Sequence, residues 1–127
     1  MPIKQEGQPQ EPHGQERRRT KRVPISFHIH VSGFGSDGQF FRDQTVTTDV
    51  SEGGCHFELA RQIEPKAPIT IQVVQRDGTP PPGSKPLLFE VARTEPCTHG
   101  CSVGAVMLQS ENIWHMTFPL NRLRQQL

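Results

Sequence analysis

The fold is decided by a stretch of nine residues, Val23-Pro24-Ile25-Ser26-Phe27-His28-Ile29-His30-Val31, in which every odd position is apolar. Alternation with a period of two places the odd side chains on one face of an extended strand and the even side chains on the other. The stretch therefore predicts a strand with one buried face in a sheet. Because Pro24 has no backbone N–H, this end of the strand is predicted at a sheet edge or a strand start.

Five further segments continue this pattern along the chain. They are short, are rich in alternating apolar or β-branched residues, and are separated by glycine and proline turns. They are predicted at residues 40–50, 55–59, 69–73, 87–94 and 103–109, and residues 113–118 are predicted as a seventh strand or a looser segment. Six or seven short strands with turns between them indicate an all-β protein, a small antiparallel barrel or sandwich.

The two ends of the chain differ from this middle part. Residues 1–15 consist mainly of Gln, Glu, Pro and Gly, which bury too little apolar surface to offset the entropy of ordering, so a disordered tail is predicted. Pro119 stands at the first turn of residues 119–127 and predicts a short C-terminal helix there. We expect one domain, residues 16–118, between the tail and the helix.

Composition excludes several classes of protein. No segment approaches the ~18 apolar residues of a membrane span, and residues 1–16 contain no apolar run of the secretory type. The three cysteines are an odd number and do not suggest a disulfide framework, so reduced thiols and a cytoplasmic location are expected. The net charge of +1 excludes a general polycation.

Two short motifs carry the candidate chemistry. The segment Arg17-Arg18-Arg19-Thr20-Lys21-Arg22 holds five cations in six positions and contains Arg-x-x-x-Arg at Arg18 and Arg22. About thirty residues later, Asp49-Val50-Ser51-Glu52-Gly53-Gly54 reads Asp-x-Ser-x-x-Gly. Positive charge concentrated at one place favours one local anionic partner over general coating of nucleic acid.

Together and in this order, the two motifs resemble the signature of the PilZ domain, a bacterial receptor for cyclic di-GMP. The resemblance covers roughly residues 16–109 and implies a six-stranded antiparallel barrel whose flexible N-terminal arm carries the arginines. It implies ligand contacts from the two motifs, at Arg18, Arg22, Asp49, Ser51, Gly53 and Gly54. By the same resemblance, a basic residue at Arg17 accompanies an intercalated dimer of the ligand.

These residue types suit a cyclic dinucleotide. The planar guanidinium of arginine forms paired hydrogen bonds with phosphate or with guanine O6 and N7. Asp49 and Ser51 are alternate residues and point the same way, and the carboxylate accepts from guanine N1–H and N2–H₂. Gly53 and Gly54 leave room for close approach of a base. By the same resemblance, Arg93 closes a later strand in a region that often lies near the ligand, and it is a further candidate.

We hypothesise a stand-alone receptor that orders residues 17–22 on binding cyclic di-GMP and signals to a separate, unidentified effector protein. One alternative is a nucleic-acid-binding barrel that uses the basic arm; the shortage of surface aromatics counts against it. Another is a PilZ-like adaptor that binds only protein, against which the intact motifs count. No enzyme is expected, because no catalytic residue pattern is present.

Zinc is a weaker candidate. Cys97, His99 and Cys101, with Cys55 and His56 elsewhere, offer soft ligands, but the spacing Cys-x-x-x-Cys is not that of a standard zinc knuckle. Buried or loop thiols are therefore the preferred interpretation, and no metal is predicted.

Overall fold

The computed structural model describes residues 21–120, and within them six strands form a closed antiparallel barrel. The strands are β1 His28–Phe34, β2 Phe40–Ser51, β3 Gly54–Leu59, β4 Pro68–Val73, β5 Leu87–Cys97 and β6 Gly100–Met107. Their order around the barrel is β1-β2-β3-β6-β5-β4, and pairing of β4 with β1 closes the ring. The predicted all-β class and the six-stranded barrel are confirmed.

The barrel interior is filled from alternate positions of the strands, as the period-two pattern predicts. Ile29 and Val31 of β1, Phe57 of β3 and Phe89 of β5 are fully buried. Closure gives each of these strands a hydrogen-bonded neighbour on both sides. Burial of a phenylalanine of this kind contributes about 1.5–3 kcal/mol each.

The first predicted strand is shorter than its sequence pattern. The alternation begins at Val23, but β1 begins at His28. Residues 23–27 lie beside β2, where Val23 forms an isolated bridge with Val50. Pro24 cannot donate to a ladder, and Thr47 instead holds this segment with its side chain. The Oγ1 of Thr47 donates to the Ile25 carbonyl at 2.7 Å and accepts from the Phe27 N–H at 2.8 Å.

Residues 113–118 form the looser segment rather than a seventh strand. Trp114 and Phe118 of this segment are buried against the barrel core. The Trp114 ring contacts that of Phe27 with a centroid distance of 5.1 Å. A segment without strand pairing is therefore held by aromatic packing.

The predicted tail, residues 1–15, and nearly all of the predicted C-terminal helix lie outside the described residues. Within residues 21–120, no helix is long and apolar enough to cross a membrane.

Two β-bulges interrupt the ladders. One lies between Thr47 and Asp49 in β2, and the other between Val91 and Arg93 in β5. A bulge inserts one extra residue, which reverses the face presented by the residues after it. The bulges fall on the two strands that bound the candidate site.

Candidate ligand-binding site

An open cavity of about 340 Å³ lies on the outer surface of β2, β3, β6 and β5, and we call it the outer pocket. Its size falls in the range of small-molecule sites. It is lined by Arg22, Asp49, Ser51, Glu52, Gly53, Gly54, Cys55, His56, Ala92, Arg93, Gly104, Ala105 and Val106.

The strand register arranges the lining in rows. Asp49 pairs with His56, His56 pairs with Gly104, and Gly104 pairs with Arg93. These four residues form one row across four strands, with a carboxylate at one end and a guanidinium at the other. The next row contains Ser51, Gly54 and Val106 in the same way.

The two bulges turn both charged ends of the row outward. In β2, Phe41 and Thr47 are buried at odd positions, whereas Val50 is buried at an even one. An unbroken alternation would point Asp49 into the barrel, and the extra residue Thr48 prevents this. In β5, the extra residue Ala92 likewise brings Arg93 opposite the outward-facing Gly104.

Glycines form the floor of the outer pocket. A Cβ atom on Gly54 would overlap the carbonyl oxygen of Ala105 on the neighbouring strand, so only glycine fits there. A Cβ atom on Gly104 would lie 3.5 Å from Cγ of Arg93 and 3.7 Å from Cδ2 of His56. The Arg93 side chain therefore lies across Gly104, beside the His56 ring.

Arg22 reaches the pocket through the bridge at Val23. Val23 donates to the Val50 carbonyl at 2.7 Å and accepts from the Val50 N–H at 2.9 Å. Val50 stands between Asp49 and Ser51, so the bridge brings the exposed Arg22 next to both motif side chains. The hydrogen bonds of Thr47 fix the same segment a few residues further along the chain, at Ile25 and Phe27.

Trp114 holds the end of β2, where the Asp-x-Ser-x-x-Gly motif lies. Its Nε1–H donates to the backbone carbonyl of Ser51 at 3.1 Å, across 63 residues of sequence. The end of β2 is thus tied to a buried aromatic ring rather than left free. Sequence reasoning gave Trp114 no role, because nothing local in the sequence signals this contact.

His56 is held between two hydroxyl groups. Its Nδ1 lies 3.2 Å from Thr48 Oγ1, and its Nε2 lies 3.0 Å from Ser102 Oγ. Both ring nitrogens therefore have partners, and the ring is fixed in the middle of the row. From the sequence alone, His56 is only a weak candidate for a metal ligand. The signal that could have identified it is its outward position in β3, the strand that begins at the end of the Asp-x-Ser-x-x-Gly motif.

The charges around the pocket act on Cys55, whose side chain is buried in the core. Burial, and after it the negative charge of Asp49, raises the pKa of the Cys55 thiol above its ordinary value. The thiol is therefore protonated at neutral pH and is a weak nucleophile. Within residues 21–120, no group of three or more His, Cys, Asp or Glu side chains is placed to hold a metal ion.

The structure brings five of the seven predicted site residues into one cavity: Arg22, Asp49, Ser51, Gly53 and Gly54. Arg17 and Arg18 lie outside the described residues. Arg93, the further candidate, lines the same cavity, and His56 and Gly104 complete it.

The barrel thus carries an outer pocket that is lined by Arg22 and has a floor of glycines from β3 and β6. A model of the PilZ domain matches residues 16–113, which is more than half of the chain. The chain belongs to the PilZ domain family, whose members are binding domains.

Comparison with solved structures finds similarity to the crystal structure of the PilZ domain of CeSA from a cellulose-synthesizing bacterium. The sequence identity is 18% and the TM-score is 0.47, over 71% of this chain and 83% of that one. No curated protein matches the chain.

Proposed function

We propose that this chain is a receptor for cyclic di-GMP and that the outer pocket is its binding site. The observation that supports this most is the convergence of Arg22 with Asp49, Ser51 and Gly54 in one cavity. These residues come from two motifs about thirty residues apart, and the Val23–Val50 bridge brings them together.

The chemistry of the lining fits the ligand. Arg22 supplies a fork for a phosphate or for a guanine edge. Asp49 accepts hydrogen bonds from guanine N1–H and N2–H₂, which adenine does not offer in that arrangement. The glycine floor at Gly54 lets a flat base approach the sheet closely.

The remaining cations belong to the same proposal. Arg18 completes the Arg-x-x-x-Arg grip, and the ligand phosphates draw residues 17–22 together against the barrel, since without an anion the cations repel one another. This ordering is the change that a separate effector protein detects, because a ligand acts on a partner only through a difference between two states. Arg17 holds a second, stacked ligand at the edge of the site.

Isothermal titration calorimetry of the full chain tests the assignment. Cyclic di-GMP is expected to bind, cyclic di-AMP is expected to bind at least tenfold more weakly, and duplex DNA is expected not to compete. Equal binding of the two dinucleotides would show a purely electrostatic site. Competition by duplex DNA would favour a nucleic-acid-binding barrel.

The same titration reports stoichiometry. We expect two cyclic di-GMP per chain and a shift towards one in Arg17→Leu. If the wild-type chain binds one ligand at saturation, the proposed role of Arg17 is wrong, whereas the assignment of the outer pocket as the binding site is unaffected.

A further inference from the structure

The side of the barrel opposite the outer pocket carries a second exposed surface, formed by β4, β1 and the first half of β2. We call it the phenylalanine face, and the paired outward positions that form it are Phe34, Ser32, His30 and His28 of β1, Phe40, Arg42, Gln44 and Val46 of β2, and Thr70 and Gln72 of β4. None of these residues is acidic. Two neighbouring carboxylates have partners of their own, since Asp43 pairs with Arg61 and Asp37 accepts from the Gln39 N–H at 2.9 Å. An anionic chain that lies along these positions therefore meets no like charge among them.

Two aromatic rings stand exposed at one end of the phenylalanine face. Phe34 and Phe40 lie directly opposite each other on β1 and β2, and they are 60% and 63% exposed. Their ring centroids are 5.6 Å apart and their planes meet at 71°, so neither ring covers the other face to face. Few surface aromatics are expected from the sequence, yet this pair leaves open ring faces in solvent. Such faces are the surfaces on which the bases of single-stranded nucleic acid stack.

Arg42 is the cation beside these rings. It lies two residues along β2 from Phe40, which is about 7 Å of strand, and it forms no ion pair with any residue in the range 21–120. Its Nη2 donates to Nδ1 of His30 at 3.1 Å, and Nε2 of His30 lies 3.3 Å from Oε1 of Gln44. A guanidinium has five N–H donors and no acceptor. The contact with His30 therefore holds Arg42 in place and leaves donors for a phosphate next to a stacked base.

The rest of the face decides between anionic partners. Anionic membrane surfaces are bound through clusters of about four to eight Lys or Arg. Here Arg42 is joined only by Arg76 at the margin, an exposed arginine that does not line the outer pocket and whose carbonyl accepts from Gln44 at 3.1 Å. Single-stranded nucleic acid instead requires stacking rings, few cations and hydrogen-bonding side chains for the base edges. The hydroxyl and amide side chains of the face supply the last of these, at Ser32, Thr70, Gln72 and Gln44.

We propose that the phenylalanine face binds single-stranded nucleic acid, with bases stacked on Phe34 and Phe40 and a phosphate held by Arg42. This site goes beyond the proposed function, because it lies on the other side of the barrel and does not use the arm at residues 17–22. One phosphate neutralised by Arg42 contributes about 0.7 to the slope of log affinity against log salt concentration. Stacking on the rings tolerates any base, so no strong sequence preference is expected.

Fluorescence anisotropy of labelled oligothymidine and oligouridine, each of about eight nucleotides, tests the proposal with the full chain. Wild type is expected to bind both. The double variant Phe34→Ala/Phe40→Ala should bind at least roughly tenfold more weakly, and Arg42→Ala should lower the salt slope by about 0.7. Leu88→Ala is the control for the rings, since Leu88 is an exposed apolar residue of β5. Arg22→Ala is the matched control for Arg42, and both controls should keep wild-type affinity.

Two further measurements locate the bound oligonucleotide, and far-ultraviolet circular dichroism checks that each variant is folded. Amide NMR signals of residues 32–34, 40–42 and 69–71 should shift on binding, whereas those of residues 49–56 should not. Cyclic di-GMP should not displace the oligonucleotide. Displacement, or a loss of affinity in Arg22→Ala without one in the phenylalanine variant, would place the nucleic acid at the arm and overturn the proposal.

Two other results would also overturn it. One is wild-type affinity in the double phenylalanine variant. The other is binding of anionic phosphatidylglycerol vesicles, but of neither oligonucleotide, in a manner that depends on Phe34 and Phe40, which would assign the face to a membrane surface. If the oligonucleotides bind as expected and cyclic di-GMP does not bind, the proposed function fails and the inference about the phenylalanine face stands.

Discussion

The outer pocket and a second cavity on the same barrel differ in how their charges are used. The second cavity is larger, about 500 Å³, and we call it the ion-pair cavity because Asp43 and Arg61 line it. There, Arg61 Nε and Nη2 donate to the two carboxylate oxygens of Asp43 at 2.7 and 3.0 Å. The guanidinium also lies over the Phe41 ring, 4.6 Å from its centroid.

In the outer pocket, by contrast, Arg22, Arg93 and Asp49 form no ion pair with any other residue in the range 21–120. The two cavities therefore differ in whether their charges are paired, and this difference supports the proposal that the outer pocket is the one that binds a ligand. A guanidinium with a bidentate carboxylate partner has its strongest acceptor already. The hydrogen bonds that Arg61 donates to Asp43 accordingly raise the pKa of Arg61 above its ordinary value.

The largest expected effect comes from the floor of the outer pocket. Gly54→Ala forces a Cβ atom into the Ala105 carbonyl, so β3 and β6 must separate. We expect a loss of about 1–3 kcal/mol in the free energy of unfolding, measured by urea denaturation, together with loss of cyclic di-GMP binding. Gly53→Ala is the control for stability, because a Cβ atom there meets no atom within 4 Å. Unchanged stability and binding in Gly54→Ala would show that the pocket floor is not constrained.

The next effect concerns the arm. Arg22→Ala removes charge-assisted hydrogen bonds worth about 1.5–3 kcal/mol each, so affinity for cyclic di-GMP should fall by roughly tenfold or more. The free energy of unfolding should stay unchanged, because the Arg22 side chain is exposed. Calorimetry and urea denaturation measure the two quantities, with Arg76→Ala as the control. If Arg22→Ala binds cyclic di-GMP with wild-type affinity, Arg22 does not contribute to ligand binding.

Much of the fold and part of the outer pocket could be predicted from the sequence. Strands with a period-two pattern bury the same side chains wherever they pair, so the barrel and residues such as Ile29 and Val31 followed from the pattern. The placement of Asp49 and Ser51 at a candidate site came from the resemblance of the two motifs to the PilZ signature. The alternating pattern predicted that the first strand begins at Val23, but it begins at His28. Alternation does not reveal which residues have a hydrogen-bonded partner on a neighbouring strand.

Other parts of the site depend on partner strands and were not accessible. By alternation alone, Arg93 shares a face with the buried Phe89 and Val91, and only the bulge against β6 turns it outward. The contact between Trp114 and Ser51 likewise joins residues 63 positions apart, and no local signal reports it.

A smaller effect is expected from that contact. Trp114→Phe keeps an aromatic ring against Phe27 but removes the hydrogen bond to the Ser51 carbonyl. The free energy of unfolding should fall by about 0.5–1.5 kcal/mol, and affinity for cyclic di-GMP should fall by a few-fold as the end of β2 loosens. Thr117→Ala, at an exposed position three residues away, should change neither quantity. Reduced stability with wild-type affinity would limit Trp114 to a role in folding.

The smallest effect should come from the ion-pair cavity, and it tests the comparison directly. Asp43→Asn removes the negative charge from the ion pair with Arg61. The Asp43 and Arg61 side chains are 26% and 34% exposed, respectively. Because solvent screens a pair of that exposure, the free energy of unfolding should fall by only about 0.2–1 kcal/mol. The difference from wild type should shrink further at 1 M salt, where the Debye length is about 3 Å. Affinity for cyclic di-GMP should not change, since Asp43 does not line the outer pocket. If Asp43→Asn instead weakens binding as much as Arg22→Ala does, paired charges serve the ligand as well as unpaired ones, and the distinction between the two cavities fails.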